Sequence, residues 1–328
     1  MKTNAIRFHQ TGGPEVLRLE QIEVGEPGPG QVRVRHTGIA VNFIDIYFRT
    51  GRYPAPLPEG VGSGLGSDAV GVVEAVGPDV SFLAVGDRVG YMFGPLGAYS
   101  EARVMPAEVL IKIPDGIDDE TASTLIMKGL TAQYLFRQVY PLKGGETILY
   151  HAAAGGVGLI ACQWARALGV TMIGTVGSDE KAAVAKAHGC THVINYKTEN
   201  FVERVKELTD GKGVPVVYDS VGKDTLMGSL DCLQKRGTLV SNGTSSGPVV
   251  IDTMLLAMKG SLWVTRPAMV DYALPRPNML KMADELFDLV LQGKIVSKPQ
   301  QRFALADAAL AHQALESRAT VGATVLIP

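Results

Sequence analysis

The segment Gly145-Glu146-Thr147-Ile148-Leu149-Tyr150-His151-Ala152-Ala153-Ala154-Gly155-Gly156-Val157-Gly158 constrains the fold of this chain more than any other. Residues 147–150 are apolar and β-prone, residues 159–168 have helical apolar spacing, and little but alanine and glycine lies between them. A dinucleotide pyrophosphate needs such a strand–turn–helix. The turn must be tight, the backbone must approach phosphate closely, and the helix N-terminus must offer free N–H groups. Against the pattern G-x-G-x-x-G, Ala153 holds the first position while Gly155 and Gly158 hold the other two. Small residues also serve simply to let a helix pack on a sheet, so context has to decide.

That context is an alternation of elements. Candidate strands cover residues 147–150, 171–176, 192–195, 214–218, 238–241 and 261–265, with helical stretches between them that include 181–187, 202–209 and 225–234. Six strands joined by helical crossovers predict a doubly wound parallel sheet. Residues 121–137 have helical spacing just ahead of it. Upstream, Val32 and Val34 alternate with Arg33 and Arg35, and further strands are expected at 69–76, from Gly86-Asp87-Arg88-Val89 onward, and at 98–104. Short strands punctuated by Gly, Pro and Asp suggest a barrel or sandwich. Beyond Pro267 two helices, 279–291 and 305–316, and a strand at 323–327 are expected. The layout is a first domain over 1–125, a dinucleotide-binding domain over 126–266, and a return to the first domain over 267–328.

Composition excludes several classes. Of 328 residues, 46% are hydrophobic and 20% charged, and a formal charge of −2 offers no attraction to nucleic acid or an anionic membrane. The opening MKTNAIRFHQTGG lacks the apolar core of a signal peptide, and no run approaches the length of a membrane span. Cys162, Cys190 and Cys232 form neither a disulfide framework nor a Cys-x-x-Cys clip, so a cytoplasmic location is expected.

The plan resembles the medium-chain dehydrogenase/reductase superfamily, and is particularly similar to its zinc-independent quinone oxidoreductases, the group that includes zeta-crystallin. The resemblance runs along the whole chain. It takes in Gly12-Gly13-Pro14-Glu15-Val16-Leu17, Val41-Asn42-Phe43-Ile44-Asp45, Gly71-Val72-Val73, Gly86-Asp87-Arg88-Val89 and Lys128-Gly129-Leu130-Thr131-Ala132. It continues through the Ala-Gly turn, Tyr218-Asp219-Ser220-Val221-Gly222 and Glu316-Ser317-Arg318-Ala319-Thr320. It implies an α/β protein with a GroES-like β-barrel catalytic domain and a Rossmann domain, a doubly wound six-stranded parallel sheet.

Zinc alcohol dehydrogenases of this superfamily hold metal with a Cys, a His-Glu pair after Gly, and a second Cys. Here Asn42 stands at the first position, Gly66-Ser67-Asp68 replaces Gly-His-Glu, and Lys128 lies near the last ligand. Three soft or imidazole ligands are not supplied, so no metal is expected. A quinone is electron-poor enough to accept hydride from a nicotinamide without a Lewis acid, leaving proximity and orientation as the main catalytic effects. By resemblance, Asn42, Asp45 and Tyr47 line the nicotinamide end of the cleft and Tyr53 its substrate side. Asp45 could equally cap the helix that follows it, and Tyr47 and Tyr53 could be packed aromatics.

The resemblance also implies the cofactor. NAD-preferring sheets end their second strand in an acid; here that strand runs into Gly177-Ser178, with Asp179 and Glu180 only afterwards. Lys181, Tyr196 and Arg318 are expected around the 2′-phosphate of NADPH, as a doubly charged group requires. Thr131 and Tyr134 are placed toward the ribose and nicotinamide, and Gly155, Gly156, Val157 and Gly158 at the pyrophosphate. Ser220, Asn242, Gly243, Thr244, Val264, Thr265 and Arg266 fall at later strand ends. A homodimer through the edge strand 261–265 is expected. Two other functions fit the same site: reduction of an activated carbon–carbon double bond in an enal or enone, and a non-catalytic NADPH-binding or RNA-binding role.

Overall fold

A computed structural model describes residues 1–328. The chain forms two compact units, the first Met1–Leu130, Pro275–Leu291 and Val296–Pro328, the second Thr131–Leu274 and Gln292–Ile295. In chain order the first unit supplies β1 (Lys2–Phe8), β2 (Arg18–Glu23), β3 (Gln31–Val41), α1 (Phe43–Arg49), β4 (Ser63–Gly64), β5 (Ala69–Val76), β6 (Arg88–Tyr91), β7 (Ala102–Pro106) and β8 (Ile111–Lys112). Helix α2 (Asp119–Tyr134) follows, running into a π-helical turn over Leu135–Val139. Next come β9 (Thr147–Tyr150), α3 (Gly156–Ala167), β10 (Thr171–Val176), α4 (Asp179–Ala187), β11 (His192–Asn195), α5 (Phe201–Leu208) and β12 (Val214–Asp219). After them stand α6 (Leu226–Asp231), β13 (Leu233–Ser241), α7 (Thr253–Met258), β14 (Trp263–Thr265) and α8 (Met269–Ala273). The chain closes with α9 (Arg276–Leu291), β15 (Pro299–Ala304), α10 (Ala308–Glu316) and β16 (Ala323–Ile327).

The first unit is antiparallel in the main. One sheet runs β15-β16-β3-β5-β6-β8, with β7 also on β3, and a small sheet runs β2-β1-β4. Alternation in β3 places Val32 and Val34 in the core, with Phe8, Leu65, Val89, Tyr91, Tyr99 and Leu326. One strand is shorter than its sequence suggests. Residues 98–101 do not join β7, because Ala98 N–H and Tyr99 N–H donate instead to Gly66 O (3.0 Å) and Leu65 O (2.8 Å). That turn carries Tyr99 inward.

The second unit is one parallel sheet in the order β11-β10-β9-β12-β13-β14. This is the doubly wound order, with its switch point between β9 and β12. Its core is aliphatic, built on Leu149, Ile173, Ile194, Val217 and Leu239. The helix expected over 225–234 stops at Asp231, since Leu233 already pairs with Val214 at the start of β13. The α/β class, the barrel-like first part and the six-stranded parallel sheet are thus as the sequence implies.

Candidate active site

In the second unit, the carboxyl ends of the strands gather most of the residues assigned to the dinucleotide. After β9 the chain turns at Ala152, held at φ 57°, and Gly155 caps α3 without any side-chain hydrogen bond. No N-cap side chain therefore occupies the first-turn N–H groups, the state in which a helix N-terminus can receive an anion. Gly158 permits this geometry: a Cβ there would lie 2.4 Å from Ala152 O and 2.6 Å from Ala153 O. Ala153, in the place of the first motif glycine, is fully buried, and its methyl fits because Gly174 in β10 faces it.

Past β10, Ser178 Oγ accepts from Lys181 N–H at 3.3 Å and caps α4. Tyr196, just after β11, lies over Gly177, where a Cβ would come within 2.6 Å of the phenol oxygen. Partial burial and the like charge of Lys197 both push the Lys181 pKa down. Lys181 and Lys197, which follow the adjacent strands β10 and β11, thus bring two ammonium groups near one another. The neighbouring acid is already used, for Asp179 Oδ1 accepts from Asn195 Nδ2 at 2.8 Å.

The remaining strand ends are equally tight. A Cβ on Gly243 would meet Ser220 O at 2.5 Å, and the buried Asn242 Oδ1 has no partner, which suits it to receive a donor from a ligand. Arg266, after β14, donates to Ser241 O at 2.8 Å. Thr131 Oγ1 reaches Met269 Sδ at 4.0 Å, and the Tyr134 ring lies 5.3 Å from that of Tyr272. Val157 and Thr244 complete the set, the first in α3 and the second in the loop after β13. Arg318, at φ 57° after α10, lies in the first unit.

The first unit holds Asn42, Asp45, Tyr47 and Tyr53, and joins the first two in a buried polar network. Asn42 follows β3 and stands at the N-cap of α1. Asp45, wholly buried, accepts the Asn42 backbone N–H at 2.8 Å and the Tyr99 hydroxyl at 3.0 Å through Oδ2. Asp45 thus makes the helix-capping contact expected as one of its two roles. The Asn42 carboxamide is held at both ends: Lys128 Nζ donates to Oδ1 at 2.8 Å, and Nδ2 donates to Asp68 Oδ2 at 3.0 Å. Burial pushes Asp45 up to about 7 and Asp68 up to about 6, and pushes Lys128 down against the pull of both acids. Tyr47 is buried and Tyr53 more open, their rings edge to face at 5.4 Å.

Behind Tyr99 the network runs on to the surface. Arg49 Nη1 donates to His312 Nδ1 at 3.1 Å, so His312 Nε2–H donates to the Tyr99 oxygen at 3.1 Å. Arg49 Nη2 pairs with Glu316 at 2.6 Å. Burial, with Arg49 beside it, lowers His312 to about 3, which keeps the ring neutral and every donor in one direction.

Residues 28–115 match the alcohol dehydrogenase GroES-like domain, and residues 156–284 match the zinc-binding dehydrogenase family. A quinone oxidoreductase of Pseudomonas aeruginosa is 57% identical over 98% of this chain and 99% of its own. A crystal structure of Escherichia coli quinone oxidoreductase complexed with NADPH superposes with a TM-score of 0.96 at 48% identity, covering 99% of this chain and all of that one. A 2-haloacrylate reductase of Burkholderia is 48% identical over 98% of both chains. The chain belongs to the zinc-independent quinone oxidoreductases of the medium-chain dehydrogenase/reductase superfamily.

The zinc named by one matching family does not fit this member. Its donors would be Asn42, Asp68 and Lys128, and an ammonium hydrogen-bonded to an amide oxygen offers no lone pair to a metal. No group of three His, Cys, Asp or Glu side chains is placed to hold an ion. In the sequence, Lys128 and Asp68 are recognisable only as replacements for metal ligands. Tyr99, Arg49 and His312 left no signal there beyond being polar residues in apolar runs.

Proposed function

We propose that this chain is an NADPH-dependent quinone reductase. The observation that carries the reading is the pair of strand-end features in the second unit: an uncapped glycine turn for a pyrophosphate, and Lys181 with Lys197 and Tyr196 at the next strand end for a 2′-phosphate. When bound, NADPH supplies the hydride, and solvent supplies the proton that completes reduction to the hydroquinone.

The residues act by binding and orientation. Gly155, Gly156, Val157 and Gly158 take the pyrophosphate through backbone N–H groups. Gly177, Ser178, Lys181, Tyr196 and Arg318 take the adenosine phosphate. Ser220, Asn242, Gly243 and Thr244, with Thr131, Tyr134, Val264, Thr265 and Arg266, line the rest. Asn42 and Tyr47 face the nicotinamide and Tyr53 the acceptor, while Asp45 holds the Asn42 turn in shape. The first unit is then the catalytic domain and the second the cofactor domain. Three buried free cysteines, and no helix long and apolar enough to cross a membrane, support a cytoplasmic enzyme. The exposed Trp263 on the last strand of the parallel sheet supports a homodimer.

The likeness to the Burkholderia 2-haloacrylate reductase favours a second reading, reduction of an activated carbon–carbon double bond. Oxidation of NADPH measured with 1,4-benzoquinone, a larger naphthoquinone and an alkenal separates the two. Turnover of the quinones above the alkenal supports the first reading; turnover of the alkenal alone replaces it.

A further inference from the structure

Most zinc dehydrogenases polarise the reacting oxygen with a cation, and this chain keeps a cation close by. Lys128 rises from α2 and is 5% exposed, and its ammonium sits 2.8 Å from Asn42 Oδ1 and 3.4 Å from Val41 O. At the other end of the same carboxamide, Asp68 Oδ2 receives Asn42 Nδ2–H. An amide between a cation and an anion has one orientation. Flipping it would set NH2 against ammonium and oxygen against carboxylate. A primary amide has two N–H donors, and Asp68 uses one. The second makes no hydrogen bond within the chain, and Asn42 is 9% exposed.

The ammonium does more than hold. A charge-assisted hydrogen bond to an amide oxygen draws electron density from the nitrogen and makes its N–H groups stronger donors. Building a buried lysine costs desolvation, which a purely apolar side chain at 128 would avoid. The cost is consistent with a task that requires charge.

We propose that Lys128 is a positioning residue that acts through Asn42, orienting and polarising its second Nδ2–H as the donor to the acceptor's carbonyl oxygen, where a zinc relative would use its metal. This rests on the assignment of Asn42 to the reacting end of an NADPH-dependent reductase. As hydride arrives at the acceptor, charge grows on that oxygen, and a donor fixed in advance stabilises it without reorganisation. The benefit is greatest where the acceptor is least electron-poor.

The test compares wild type with Lys128→Met and Lys128→Gln on 1,4-benzoquinone, a less electron-poor naphthoquinone and an alkenal. Thermal melts and NADPH affinity by fluorescence are measured in parallel. Removing the charge lowers kcat about 10- to 100-fold on the weaker acceptor and less on benzoquinone, below the roughly 10²–10³ typical of deleting a direct donor. NADPH affinity stays within about twofold. The Asn42 side-chain amide resonance, assigned by its loss in Asn42→Ala, moves upfield in both lysine variants. Combining Lys128→Met with Asn42→Ala costs no more than Asn42→Ala alone. Lys128→Gln retains an N–H donor, so it stands in if the methionine variant does not fold. Equal losses on all acceptors, additive costs in the double variant, or unchanged kinetics in a folded variant would overturn the proposal. If the wild type reduces only the alkenal, the quinone reading fails while the alkenal series still tests Lys128.

Discussion

Ala153 and Gly174 are complementary across the start of the nucleotide turn: a Cβ on Gly174 would lie 2.6 Å from the Ala153 methyl and equally close to Cys190 Sγ. The departure of Ala153 from the glycine motif is therefore matched by a glycine in the neighbouring strand. Gly174→Ala forces a shift in β10 or in the turn and costs about 1–3 kcal/mol. Denaturant unfolding should show that loss, and NADPH titration a weaker complex. Gly174→Ala with unchanged stability and affinity would mean that the turn has slack the geometry does not show.

The role proposed for Lys181 at the 2′-phosphate makes a direct prediction. Lys181→Ala removes a charge-assisted contact of about 1.5–3 kcal/mol, so NADPH should bind roughly 10- to 150-fold more weakly. NADH, lacking the 2′-phosphate, should be unaffected. Affinity for NADPH should also fall more steeply with salt in the wild type than in the variant. A parallel loss for NADH and NADPH in isothermal titrations would remove Lys181 from the phosphate.

Much of this was legible from sequence, because the signals are local. The strand–turn–helix and each strand of the parallel sheet are written in a few consecutive residues. The network around Asn42 was not. Asn42 meets Asp68 and Lys128 from 26 and 86 residues away, and Arg49 meets His312 from 263. Periodicity marks which face of α2 or α10 turns inward, but not that Lys128 or His312 will be the polar residue kept there. The extent of strands near residues 98–104 and 233 was also hidden, since distant carbonyls and partner strands set it.

The buried acids and histidines pull stability in opposite directions with pH. Asp45 and Asp68, near 7 and 6 when folded and 3.8 when unfolded, hold protons that the unfolded chain has released. Their contribution is present below about pH 4 and fades as pH rises through the folded values. His36 and His312, near 4 and 3 when folded against 6.5 unfolded, contribute above that unfolded value and lose stability as pH falls. Between about pH 4 and 6.5 the two pairs act in opposite directions. Asp45→Asn removes one opposing group. Its unfolding midpoint, measured against the wild type from about pH 4.5 to 7.5, should gain ground as pH rises. A variant profile parallel to the wild type would show that Asp45 does not carry a raised pKa.

Trp263 bears on assembly. Strand β14 pairs only with β13, so its outer edge is open, and Trp263 there is 66% exposed, near the equally exposed Met254 and Met258 of the preceding helix in sequence. A lone exposed apolar residue is ordinary, but one on an unpaired edge of a parallel sheet invites a second copy. Burying two tryptophans in a symmetric contact would contribute about 1.5–3 kcal/mol for each, whereas a charge there would have to be desolvated. If the proposed homodimer forms through this edge, Trp263→Glu should sediment as a monomer at concentrations where the wild type associates, with its circular dichroism unchanged. A wild type that sediments as a monomer, or a Trp263→Glu dimer of undiminished affinity, would place any contact between copies elsewhere.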